Sequence, residues 1–149
     1  MTIVRLGYVA MSTELKNCSP SQTMTYKQFE KYSNKEDAIL KLEKIARSNI
    51  ENCLRLLKHN RANDIRFFRL RSKLVPLATH EALKGWHYIK SIEENLNELG
   101  SYVKEHNMRI DFHLDHFVIL NSVNKEIFIA SLKTLKMHET LLDGMKLSK

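Results

Sequence analysis

At 149 residues, the chain is long enough for one domain with a sizeable core. Apolar residues make up 43% and charged residues 28%, with four glycines and two prolines, which excludes a low-complexity or linker-rich chain. The net charge of +7 points to anionic partners, with nucleic acid the commonest large one. No apolar run reaches the roughly 18 residues of a membrane span. The opening "MTIVRLGYVAMSTELK" lacks the basic start and long apolar stretch of a signal peptide and reads instead as a strand. Cys18 and Cys53 belong to no CxxC pair, which excludes zinc-finger and thioredoxin chemistry. Both read as inert thiols of a reducing, cytoplasmic protein.

In chain order, "TIVRLGYVA" is β-branched and apolar, hence a first strand. A polar loop containing Pro20 follows. Ile39, Leu42, Ala46, Ile50, Cys53, Leu54 and Leu57 then recur at spacings of three and four, one apolar stripe of a long helix. Asn34 is placed to cap that helix, and "NRAND" ends it. "IRFFRL" is the second strand, and Pro76 lies in the loop after it. A second helix spans about Ser91 to His106, with Ile92, Leu96, Leu99 and Val103 on one side and Gly100 inside. "MRIDFH" is the third strand. Asn124 caps a third helix, whose apolar set includes Ile127, Ala130, Leu135, Leu142 and Met145.

Strands separated by helices imply a parallel sheet with right-handed crossovers. In such sheets the working residues lie beyond the C-terminal strand ends. Tyr8, His80, His113, His116 and Phe117 fall there by this reading. Pleat parity puts Arg69 and Arg71 on one face of the second strand and Phe68 and Leu70 on the other. On the third strand it likewise sets Arg109, Asp111 and His113 against Ile110 and Phe112. The apolar faces are expected to pack on the helices. The charged face needs partners, water or a ligand.

His80 and His113 read either as metal ligands meeting at the strand ends or as histidines bonded to backbone carbonyls; two are too few for a catalytic zinc site. Phe117 beside His116 reads either as an aromatic that stacks on a base or, with Val118 and Ile119, as a buried loop anchor. His59, His87, His106 and His138 read as surface residues of helices. No GxGxxG, GxxxxGK[ST] or GxSxG occurs, so nucleotide loops and a hydrolase elbow are unsupported.

Several blocks, in order, resemble one family. "RLGYVA", "LKNCSPSQTMT", "SNIENCLRLLKHN", "FFRLRSKLVPLATH" and "DFHLDHFVILNS" together are similar to the N-terminal part of the UV damage endonucleases. The resemblance implies a TIM-barrel metalloenzyme that nicks DNA immediately 5′ of a UV photoproduct. It implies divalent metals, manganese by family habit, at the barrel mouth. His80 in "LATH" and His113 in "FHLDHF" match metal-ligand histidines. His116 and Phe117 match a pair inserted into the duplex beside the lesion, which in other members is glutamine and tyrosine. Tyr8 in "LGY" matches a residue near the scissile phosphate, and Asn17 is carried over as a DNA contact. Leu114 stands where the family often has proline, which loosens the loop that aims His116 and Phe117.

A TIM barrel needs eight βα units, and this chain supplies three. The reading is therefore a partial TIM barrel over residues 1–149, an incomplete (β/α) domain whose remaining metal ligands lie elsewhere. Two functional classes follow. One is a truncated or split UV damage endonuclease, inactive as an isolated monomer. The other is a non-catalytic remnant that binds DNA or a protein partner. A three-stranded parallel sheet with two open edges also predicts self-association, through the strand edges or through the face bearing Arg69 and Asp111, or a complementing C-terminal chain.

Overall fold

The computed structural model describes residue 2 and residues 4–147. Three strands, β1 (Gly7–Val9), β2 (Phe67–Arg71) and β3 (Arg109–His113), form a parallel sheet in the order β1-β2-β3. Four α-helices are described, α1 (Tyr26–Glu30) and α2 (Lys35–Ala62) after β1, α3 (Tyr88–Glu105) after β2 and α4 (Lys125–Gly144) after β3, with a 3₁₀ turn at Glu81–Leu83. The architecture is α/β, three successive βα units of a partial TIM barrel, as the alternation of patterns predicts.

The helix ends follow from local chemistry. Asn34 Oδ1 accepts the Glu36 N–H at 2.9 Å, and Asn124 Oδ1 accepts those of Glu126 and Ile127 at 2.9 and 3.3 Å. Each asparagine satisfies donors that the first helical turn leaves free. At the other end of α2, Asp64 takes a left-handed φ of 55° and Ile65 N–H donates back to Asn60 O at 2.8 Å. Asn107 does the same after α3, with φ 46° and a 3.0 Å bond from Met108 N to Val103 O. These are Schellman closures built on Asp and Asn, the side chains other than glycine that best tolerate this conformation. Each one launches the next strand.

The helix-facing side of the sheet is dry. Phe68, Leu70 and Phe112 are buried against Ile50, Cys53 and Leu57 of α2, Leu96, Leu99 and Val103 of α3, and Leu141 and Met145 near the end of α4. Each such side chain contributes about 1.5–3 kcal/mol through removal from water. Both thiols are buried, and burial pushes Cys53 well above the ordinary thiol range. A satellite cluster of Met24, Phe29, Ala38, Leu42, Ile45 and Leu83 covers the first turns of α2. Gly100 lies inside α3, which runs through it. A Cβ there would stand 1.9 Å from the Met145 carbonyl oxygen, so glycine lets α3 and the end of α4 touch. That contact offsets its intrinsic cost of about 1 kcal/mol in a helix.

Three expectations are corrected. Only Gly7–Val9 of the predicted first strand pairs, since β1 is an edge held on one side; Val4 and Leu6 are exposed, and Ile3 lies outside the described residues. The packed side of α4 is Ser131, Met137, His138 and Leu141; Ile127 and Ala130 face outward, because only the later turns of α4 meet α3 and the sheet. His138 is accordingly a core residue, 4% exposed, its ring parallel to Phe112 at 4.3 Å.

Candidate functional site at the strand exits

The registers Arg69↔Asp111 and Arg71↔His113 place the polar residues of β2 and β3 side by side. Arg69 Nε donates to Asp111 Oδ1 at 2.7 Å, so these two charges satisfy each other on the face away from the helices. Both are more than a third exposed, and such a pair contributes no more than about 1 kcal/mol. Its main effect is to leave Arg71 and His113, one step nearer the strand exits, as the polar groups at the rim.

Two cavities open at that rim. One of about 520 Å³ is lined by Arg71, Lys73, His113, Asp115 and His116, with Val9 and Ala10 of the β1 exit. The other, about 660 Å³, is lined by His80, Glu81, Phe117, Val118 and Lys133 among others. Ser72, Lys73 and Asp115 line both and form the wall between them. Within that wall, Lys73 Nζ lies 3.2 Å from Asp115 Oδ2. Desolvation raises the Asp115 pKa, but Lys73, His116 and the His116 N–H outweigh it and hold the carboxyl below its ordinary range. Asp115 thus stays ionised at neutral pH.

His116 and Phe117 follow on the open side. The His116 side chain is 79% exposed and Phe117 67% exposed, and their rings meet at 3.8 Å. The buried-anchor alternative for Phe117 is excluded; of its apolar neighbours Val118 is half-buried and Ile119 exposed. A large exposed aromatic beside an imidazole, flanked by lysine and arginine, can stack on a flat ring and attract phosphate.

His80 lies in the long loop after β2. Its Nδ1 accepts the Ala82 N–H at 3.3 Å, capping the 3₁₀ turn, and its ring stacks on Tyr26 at 4.1 Å. His113 is the last residue of β3 and is exposed. The two histidines therefore line separate cavities. Among the described residues no three His, Cys, Asp or Glu side chains group as a metal-ligand set. This donor set alone does not fit a multinuclear metal cluster.

Tyr8 and Asn17 stand apart. Tyr8 lies within β1, not in the loop beyond it, and its hydroxyl donates to Asn60 Oδ1 of α2 at 2.5 Å. Burial raises its pKa, and the Asn60 bond opposes this. Asn17 is exposed in the loop after β1, with φ 54° and its carbonyl accepting from Arg55 at 2.9 Å. Residues missed by the sequence reading are Lys73 and Asp115. Lys73 continues the parity of Arg69 and Arg71, a signal that was present. Asp115 stands between the two histidines of "HLDHF", where the sequence alone assigns it no role.

The UV-endonuclease UvdE family model matches residues 4–149. The chain is 57% identical over 144 residues to the UV DNA damage endonuclease of Halalkalibacterium halodurans, covering 97% of this chain and 45% of that protein. It is 36% identical over 143 residues to the UV DNA damage endonuclease of Bacillus cereus, covering 96% and 44%. The crystal structure of SacUVDE superposes with a TM-score of 0.80 at 31% identity, over 97% of this chain and 47% of that one. The chain spans about half the length of the curated relatives it matches. With match, sequence and architecture in agreement, it belongs to the UV-endonuclease UvdE family.

Proposed function

We propose that these residues form the N-terminal, duplex-contacting part of a UV damage endonuclease, acting in DNA repair in the cytoplasm, and that they do not incise DNA alone. The single observation behind this reading is the His116–Phe117 ring pair, exposed at the strand exits beside Arg71 and Lys73. Phe117 enters the gap left as damaged bases leave the stack, a displacement that costs a few kcal/mol and least at a lesion. The cations hold the flanking phosphates. His80 and His113 supply part of a metal site whose other donors come from beyond the described residues. No step of incision is assigned to these residues by themselves, and Tyr8 and Asn17 take part only once a duplex is bound.

The rest of the barrel mouth comes from residues beyond these, in a C-terminal continuation, a complementing chain or a second copy. Among the described residues β1 and β3 each pair on one side only, and Arg69 and Asp111 already satisfy each other. The strand edges, rather than that charged face, are therefore the surfaces that associate. A second reading, a non-catalytic DNA-binding or interaction module, is favoured by the same basic rim. Binding of UV-irradiated and unirradiated duplexes across a salt series tests the first reading. The expected result is a preference for irradiated DNA that Phe117→Ala removes, with little change for unirradiated DNA. Equal binding of both duplexes, with a steep salt dependence, favours the module.

A further inference from the structure

The turn bearing His116 and Phe117 lies in an irregular segment between β3 and α4, and it is held at both ends. At its far end, Ile119 N–H donates to Ser131 Oγ at 2.8 Å, and the Ser131 hydroxyl donates in turn to Ile127 O at 2.8 Å. Ser131 is 1% exposed, so this hydroxyl has no water to compete with the loop amide. At the near end, Asp115 closes the turn. Its carbonyl accepts Val118 N–H at 2.9 Å, its carboxylate accepts His116 N–H at 3.1 Å, and Lys73 pairs with it.

Lys73 is itself placed by the residue before it. The carbonyl and hydroxyl oxygens of Ser72 lie 3.0 and 3.1 Å from His138 Nε2. A carbonyl only accepts, so the neutral ring carries its proton on Nε2. His138 and Ser131 both belong to α4. One helix therefore reaches the turn twice, directly through Ser131 and through the chain His138, Ser72, Lys73 and Asp115.

We propose that α4 is the strut of this turn. Ser131 and the Lys73–Asp115 pair are positioning residues that keep the His116 and Phe117 rings raised at the strand exits. The functional half of this inference rests on the reading that those rings meet DNA. Leu114 gives the need for a strut a physical basis. Without a proline there, the backbone ahead of the turn keeps more freedom to lose on ordering. Hydrogen bonds to a rigid helix supply the constraint instead. A wedge that must enter a stacked duplex works only when its stance is fixed before contact.

The test uses the full chain with Ser131→Ala, Asp115→Ala, both together, and Lys73→Arg as the conservative variant. Amide exchange is followed at Val118 and Ile119, with thermal unfolding alongside. Alanine suits a helix, so Ser131→Ala folds. The expected result is roughly tenfold faster exchange at Ile119 in Ser131→Ala and at Val118 in Asp115→Ala, with Lys73→Arg close to the parent. Unchanged exchange at Ile119 in a cooperatively unfolding Ser131→Ala overturns the strut. In duplex binding, the double variant loses the preference for irradiated DNA as Phe117→Ala does. Retention of that preference by the double variant, while Phe117→Ala loses it, overturns the positioning role. If Phe117→Ala also retains it, the wedge reading fails instead, and the exchange result alone decides the strut.

Discussion

Helices α2 and α4 carry similar stocks of apolar side chains and differ in what surrounds them. α2 buries residues along its whole length, from Ala38 to Asn60. The sheet, α3 and the α1 segment all pack against it. α4 buries Ser131, Met137, His138 and Leu141, while Ile127, Phe128, Ile129 and Leu132 of its first turns stay exposed. Isolated apolar side chains on a surface need no explanation, but a run of them on one helix marks a contact surface. The last βα unit of this chain is thus the least covered, at the flank where a barrel would add its next unit.

Four substitutions test that contrast, from the largest expected effect to the smallest. Leu57→Ala, at a fully buried position of α2, should cost about 3 kcal/mol in denaturant unfolding through lost burial and a cavity. Asn49→Ala should cost about 2–3 kcal/mol, because three backbone groups lose partners. Asn49 Nδ2 donates to Gln22 O and Leu74 O, and its Oδ1 accepts Gln22 N–H, tying the loops after β1 and β2 to α2.

His138 offers a pH test. Burial pushes its imidazole below the ordinary value, with the Ser72 carbonyl pulling the other way. As pH falls, the unfolded chain takes up this proton first, so stability drops below about pH 6.5 and the loss levels off under the lowered folded value. His138→Gln should therefore narrow the difference in Tm between about pH 7.5 and about pH 5.5. An unchanged difference removes His138 as the source. Leu132→Glu on α4 should change unfolding by no more than about 0.5 kcal/mol. A loss comparable to Leu57→Ala would show that the two helices are covered alike.

The long elements were legible in the sequence because α2 and α3 repeat their apolar stripes over several turns and Asn34 and Asn124 announce their helix starts. α1 was missed because five residues are too few for a period to show, although Thr25 and Gln28 spell its capping box. The packed face of α4 was misread because Ser131 and His138 count as polar in a pattern search. Their burial depends on partners, Ile119 and Ser72, that only the fold brings near. For the candidate site, "HLDHF" disclosed the exposed ring pair but not its holding residues. Lys73 and Asp115 meet between the loops that follow β2 and β3, a distance in sequence that no local pattern spans.

The central claim is that this chain supplies the duplex-contacting part of a UV endonuclease mouth and needs the rest to cut. The most direct measurement is incision of UV-irradiated duplex DNA with manganese, by this chain alone and after mixing with the part of the Halalkalibacterium halodurans relative that it leaves unmatched. The account predicts no nicking alone, nicking 5′ of the photoproduct in the mixture, and its loss with Phe117→Ala. Nicking by this chain alone, or by a mixture indifferent to Phe117→Ala, would contradict it.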